Sequence, residues 1–255
     1  MAFIISVFII VLTLLIFYMV YTAHHDTIDY RTIHDTKIKS SFRLFFISDI
    51  HRRTLKKDTL NDIGEKIDIV VIGGDLTEKG VPIERTRDNI RKLKLLNAPI
   101  YFVWGNNDYE AFPNRIYELL IEEEVIILAN QNDDITINNN KVSLIGLDCC
   151  QYREARLDLA MANAEGEYNI LLTHAPSAFY DLDEESQNKL DVVLAGHTHG
   201  GQIRILGFGF FERGGLTKLH NTTIIVSEGY GYTRLPFRLG TKSECHVLTF
   251  IQTKM

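Results

Sequence analysis

Five short apolar runs in this chain end in side chains that bind metals. "RLFFISDIH" closes on Asp49 and His51, "DIVVIGGD" on Asp75, "IYFVWGNND" on Asn106, Asn107 and Asp108, "NILLTH" on His174, and "DVVLAGHTH" on His197 and His199. Carboxylate, carboxamide and imidazole donors suit Mn, Fe or Zn, and no sulfur accompanies them. Asp49, His51, Asp75, Asn106, His174, His197 and His199 together make a ligand set for two divalent ions. Taken singly, most have an ordinary explanation: Asp after Gly is turn chemistry, Asn106 and Asp108 suit an Asx turn, and His174 could be a core histidine. "GHTHGGQ" is different, because two His at i and i+2 flanked by glycines serve no packing purpose.

The set works only if its members meet. Each run is rich in Ile, Val, Leu and Phe and bounded by turn residues, the pattern of a strand buried on both faces. Helix-like segments, Thr54 to Lys66 and Ile83 to Leu96, separate the first three runs. Strand–helix–strand alternation implies parallel strands with right-handed crossovers. The strand C-termini then gather along one edge, where ligands bind. Glycines 73, 74, 105 and 196 are placed to turn the chain sharply there.

The remaining composition sets bounds. With 27 Lys+Arg against 33 Asp+Glu, the net charge of −6 argues against a general nucleic-acid partner. Cys149, Cys150 and Cys245 form neither a disulfide framework nor a thiolate zinc site, and read as free thiols. From Ala2 to Thr22 the chain carries no charged side chain, and a helix of that length rises about 31 Å, enough to span a bilayer. Tyr18 and Tyr21 lie at one end of it, as interfacial rings do. No basic residue precedes the run, so a retained anchor is expected rather than a cleaved signal peptide. The expected organisation is an anchor over residues 2–22, a polar linker over 23–41 and one domain over 42–253. Arg31, Lys37, Lys39 and Arg43 follow the anchor, which by the positive-inside rule places the domain in the cytoplasm.

The order Asp-x-His, Gly-Asp, Gly-Asn-x-Asp, His, Gly-His-x-His resembles that of the calcineurin-like metallophosphoesterases, over roughly residues 42 to 250. "GHTHGGQI" and "SEGYGYTRLPFRLG" look like a branch of small, often membrane-associated bacterial phosphodiesterases, some acting on lipid-linked substrates. The resemblance implies an α/β fold, a four-layer αββα sandwich of two mixed sheets. It puts the "GHTH" and C-terminal strands in the second half. It implies one metal on Asp49, His51 and His199, a second on Asn106, His174 and His197, and Asp75 bridging both, with Mn favoured. It further implies attack of a metal-bridging hydroxide on phosphorus.

One position departs from the family. Much of it has His where this chain has Asn107, and that His is thought to protonate the leaving group or steady the phosphate. Asn can only offer N–H hydrogen bonds. Asp108 then loses a partner and is left to cap the turn. Three explanations stay open: a leaving group that needs no acid, another acid such as His220, or a metal-stabilised binding module at the membrane that does not turn over. Arg204, Arg213 and Arg234 are either phosphate contacts or ordinary surface charges. The Phe-rich segment 205–220 is either a hairpin packed into the core or an apolar lip for a lipid-linked substrate.

Overall fold

The computed structural model describes residues 1–253. Helix α1 (Ala2–His24) runs directly into strand β1 (Asp26–Asp35). β2 (Phe42–Ile47), β3 (Ile69–Ile72), β4 (Ile100–Phe102) and β5 (Ile126–Ile127) follow, parallel and adjacent. Between them lie helices α2 (Lys57–Asn61), α3 (Ile83–Leu93), α4 (Asn106–Glu110) and α5 (Pro113–Glu122). The second half supplies β6 (Gln131–Ile137), β7 (Asn140–Gly146), β8 (Tyr168–Leu172), β9 (Val192–Ala195), β10 (Gly215–Leu219) and β11 (Thr222–Val226). β12 (Ser243–Gln252) ends the described chain.

Two mixed six-stranded sheets result, in the orders β1-β12-β2-β3-β4-β5 and β10-β11-β9-β8-β7-β6. Strand alternation explains how they stack. Phe42, Leu44 and Phe46 of β2 share one buried cluster with Leu144, Ile170 and Leu194 of the other sheet, so this cluster lies between the sheets. Phe45 and Ile47 point the other way, to Ile90, Leu93, Ile116 and Leu119 of α3 and α5. On the far side, Ile145, Leu171 and Val193 pack against Leu157, Ala160 and Phe179. The four layers are helix, sheet, sheet, helix.

Three expectations are corrected. Residues 23–41 are not simply a linker, because β1 pairs in parallel with β12 over ten residues, Asp26↔Ser243 to Asp35↔Gln252. An edge strand needs few apolar side chains, and Ile33 is its one fully buried residue, so no hydrophobic run marked it. The expected helix over Thr54–Lys66 shrinks to Lys57–Asn61. The C-terminal strand belongs to the first sheet, between β1 and β2, while only β10 and β11 extend the second.

The start of β1 is clasped to the domain. Asp26 accepts hydrogen bonds from Arg53 (2.5 Å), Thr59 (2.6 Å) and Tyr230 (2.6 Å). Arg53 also donates to the Tyr230 carbonyl and to Ser243, and lies 4.1 Å over the Tyr230 ring. Burial opposes the Asp26 charge, but Thr59, Tyr230 and Arg53 outweigh it and hold the carboxyl below its ordinary value. Asp26→Ala strands the Arg53 charge and should cost about 3 kcal/mol in urea unfolding at pH 7. A lowered carboxyl stabilises the fold above its unfolded value and loses that contribution as pH falls through the folded one. The gap between wild type and Asp26→Asn should therefore hold at neutral pH and close below about pH 4.

Candidate metal centre

The strands β2, β3 and β4 of one sheet and β8 and β9 of the other end at a common edge. The next few residues of each carry the donors. Five of these donors sit in left-handed backbone conformation: Asp49 (φ 54°), His51 (52°), Asp75 (50°), His197 (73°) and His199 (50°). Each costs a non-glycine residue about 1 kcal/mol or more. The loops hold one another in place. Asp49 and His51 donate their N–H groups to the Gly74 and Asp75 carbonyls (3.0 and 3.1 Å), Gly196 donates to the His174 carbonyl (2.9 Å), and the His197 N–H meets the Asp49 carboxylate (3.1 Å). Gly105 is required for close approach, since a Cβ there would land on the Asp75 backbone and carboxylate.

The donor atoms converge. His51 and His199 bring their Nε2 atoms within 3.1 Å of each other, and His174 Nε2 lies 3.1 Å from His197 Nδ1 and 3.2 Å from Asn106 Oδ1. Asp49 Oδ1 is 3.4 Å from His199 Nε2, and Asp75 Oδ2 is 3.4 Å from His174 Nε2 and 3.7 Å from His51 Nε2. Asp49, His51 and His199 form one compact buried triad, and Asp49, Asp75 and His174 a second. Asn106 and His197 adjoin the second triad. Ring nitrogens and carboxylate oxygens buried within a few ångströms of one another are the donor types and spacing that a divalent ion takes. The residues therefore fit a two-metal centre of Asp and His.

The outer nitrogens have neighbours too, and an N–H donated outward frees the inner lone pair, as at His174. His174 Nδ1 donates to the Gly73 carbonyl (2.9 Å), His51 Nδ1 lies 3.1 Å from Glu78 Oε2, and His197 Nε2 meets the Gln151 amide (3.1 Å). His199 Nδ1 is 3.2 Å from Arg238, a fully buried guanidinium that also binds the carbonyls of Glu228, Gly229 and Gly231. Burial works against charge throughout. At Asp75 it is outweighed by His174, His51 and Asn107, so the carboxyl stays well below its usual range. At His174 it is outweighed by Asp75, which lifts the imidazole to about 10. At His199 burial prevails over Asp49, and His51 and Arg238 add to it, taking the imidazole down to about 3.

Asn107 stands where the resemblance leads one to expect His, and Asp108 follows it. Asn107 clamps Asp75 twice, backbone N–H to Oδ1 (2.8 Å) and side-chain amide to Oδ2 (2.7 Å). Asp108 is buried, and its two oxygens accept the Gly105 N–H (2.9 Å) and the Thr77 N–H (3.0 Å). Burial and the nearby Asp75 raise it to about 7. It caps α4 and ties two ligand loops together, rather than facing the cavity.

That cavity, about 1070 Å³, opens over Asp75, Asn106, Asn107, His197 and His199, with Arg234 on its wall. Ile203, Phe208, Phe210, Phe211 and Leu235 also line it. The Phe-rich segment is thus an exposed wall and not a core hairpin. His220 is not beside the centre. It turns between β10 and β11, at the end of the sheet where β9 begins. Arg204 bonds the carbonyls of its own loop, and Arg213 pairs with Glu228. Sequence reasoning missed Glu78, Gln151 and Arg238. Glu78 stands three residues beyond Asp75 and was findable; Arg238 carries no local signal.

Comparison with known proteins agrees with this geometry. A family model described as calcineurin-like phosphoesterase matches residues 42–201. The protein YpbG of Bacillus subtilis (strain 168) is 39% identical over 219 residues, covering 84% of this chain and 82% of that protein. A zebrafish transmembrane protein with metallophosphoesterase domain is 31% identical over 233 residues, 80% of this chain and 52% of that protein. Among solved structures, a 5'-nucleotidase precursor from Thermus thermophilus superposes with a TM-score of 0.52 at 12% identity, over 82% of this chain and 55% of that one. At that identity the match speaks for the fold alone. With the motif order, the paired sheets and the donor cluster in agreement, the chain belongs to the calcineurin-like phosphoesterases.

Proposed function

We propose that the protein is a membrane-anchored, two-metal phosphoesterase that cleaves phosphodiester or pyrophosphate bonds with weakly basic leaving groups. The observation that carries this reading is the convergence of seven donors, four of which, Asp75, Asn106, His197 and His199, line one open cavity. Asp49, His51 and His199 would hold one ion, Asn106, His174 and His197 the other, and Asp75 both. Divalent ions there would supply Lewis acidity and activate water; Mn is favoured from the donor types. Asn107 keeps Asp75 turned into the centre through two hydrogen bonds. Arg234 offers a guanidinium to a phosphate entering the cavity.

The leaving-group restriction follows from what surrounds the cavity. Among the described residues lining it, the titratable ones are Asp75, His197, His199 and Arg234. The first three are assigned to metal and a guanidinium is no general acid, so no side chain is left to give up a proton. A nucleotide or other phosphate leaving a pyrophosphate needs none.

The anchor is α1, a single helix containing an 18-residue stretch of mean hydropathy 3.0 that the domain leaves uncovered. The basic residues that favour a cytoplasmic domain, Arg31, Lys37, Lys39 and Arg43, each lie in an ion pair within the folded domain.

Full-length protein stripped with chelator should lose hydrolysis of bis(p-nitrophenyl) phosphate and recover it with Mn²⁺. Asp75→Ala should lower the restored rate at least about a thousandfold and reduce bound metal below two ions per chain, measured by elemental analysis. Full metal loading without turnover would leave a binding module instead. Across aryl phosphodiesters, the wild-type rate should fall steeply as the leaving phenol becomes more basic. Asn107→His should flatten that slope by restoring an acid, whereas Asn107→Ala should lower all rates about equally by freeing Asp75. A wild-type slope near zero would refute the acid-free reading.

A further inference from the structure

We propose that the loop Ile203–Phe211, together with Leu235, is a second membrane contact that presses the mouth of the cavity against the bilayer crossed by α1. This rests on α1 being a membrane anchor, and goes beyond that reading.

The loop is built to expose apolar side chains. Leu206 is 93% exposed, Phe208 82% and Phe210 98%. Part of its polar backbone is meanwhile bonded from within. Ile205 and Phe208 exchange two hydrogen bonds of 2.9 Å, and the Arg204 guanidinium binds the carbonyls of Gly200, Gly207 and Phe211. A braced loop cannot fold its Phe rings back into the core. A contiguous apolar patch of this kind marks an interaction surface.

The partner follows from where the loop is attached. Its base is bonded to Leu239, through Arg204 N–H to the Leu239 carbonyl (2.7 Å) and Leu239 N–H to the Gln202 carbonyl (3.1 Å). The adjoining residue, Arg238, donates its backbone N–H to the Met19 carbonyl of α1 (3.1 Å). The His24 ring lies 5.5 Å from that of Tyr232, and Lys56 and Arg53 both reach the His24 carbonyl. Met19 sits between Tyr18 and Tyr21, the rings that mark the water–lipid boundary of the helix. The segment carrying the loop is therefore fastened to α1 at headgroup level. Apolar and aromatic side chains held there bury readily among acyl chains and headgroups.

Spin labelling tests this on the full chain in phosphatidylcholine–phosphatidylglycerol vesicles, without substrate. Cys150 is the exposed thiol and is replaced by Ser; Cys149 and Cys245 are buried. Single cysteines go in as Phe210→Cys, Ile9→Cys within α1, and Lys189→Cys before β9, at the opposite end of the strands. Collisional relaxation by oxygen is compared with that by a water-soluble nickel chelate. Labels at 210 and 9 should favour oxygen by at least fivefold over the label at 189. Oxygen preference at 9 but chelate access at 210 equal to that at 189 would overturn the second contact and leave the anchor standing. Chelate access at 9 as well would overturn both. A label at 210 shielded from both reagents would mean protein covers the loop, and would equally overturn the proposal.

Discussion

The organising constraint is that seven donors must point at a volume a few ångströms across, and five of them do so from left-handed backbone. Such a conformation aims the side chain inward from the end of a strand, where an extended backbone would carry it past. Its cost recurs at Asp49, His51, Asp75, His197 and His199, a sum on the order of 5–10 kcal/mol. Isolated loops would relax. Here each is bonded to a neighbour from another strand: Asp49 to Gly74, His51 to Asp75, Gly196 to His174, and His197 to the Asp49 carboxylate. The sandwich supplies the rest, since strands with buried faces cannot shift register to relieve the strain. The outer packing of the two sheets thus determines the geometry of the centre.

Asn107 shows how a single change redirects a site without dismantling it. Its two bonds orient the Asp75 carboxylate and add to the pull of His174 and His51, which keep it ionised against burial. At this position the chain carries a support for the Asp75 carboxylate and no proton donor. Asp108 remains essential to the turn even without an imidazole to orient, because its oxygens satisfy two buried N–H groups, and losing either bond would strand a donor.

Much of the centre was legible in the sequence because its donors sit flush with the ends of strands whose apolar runs are unmistakable. Asp49 and His51 follow "RLFFIS", and His197 and His199 follow "DVVLAG", so a reader of runs finds ligands beside them. What escaped has no such marker. β1 is an edge strand whose ten backbone pairs need almost no apolar side chains, so "DTIDYRTIHD" reads as polar linker. The first-sheet position of β12 is a topological choice between two sheets that its own residues do not encode. The Phe-rich loop stood between a core hairpin and an exposed lip, because ring composition alone does not say which way the chain turns; Arg204 braces it in the exposed form.

Arg238 joins these separate parts. Its backbone N–H holds α1 through Met19, while its side chain reaches the carbonyls of Glu228, Gly229 and Gly231 and ends against His199. Complete burial lowers this guanidinium to about 10, still charged at neutral pH. Three carbonyls accept its protons, so the charge is paired with dipoles rather than left bare. Burial is what chiefly disfavours a protonated His199 ring, and this positive charge adds to it while the guanidinium donates to His199 Nδ1. One residue thus bonds helix α1 through its backbone N–H and reaches a donor of the candidate centre through its side chain, so the position of α1 and that of His199 share a single support.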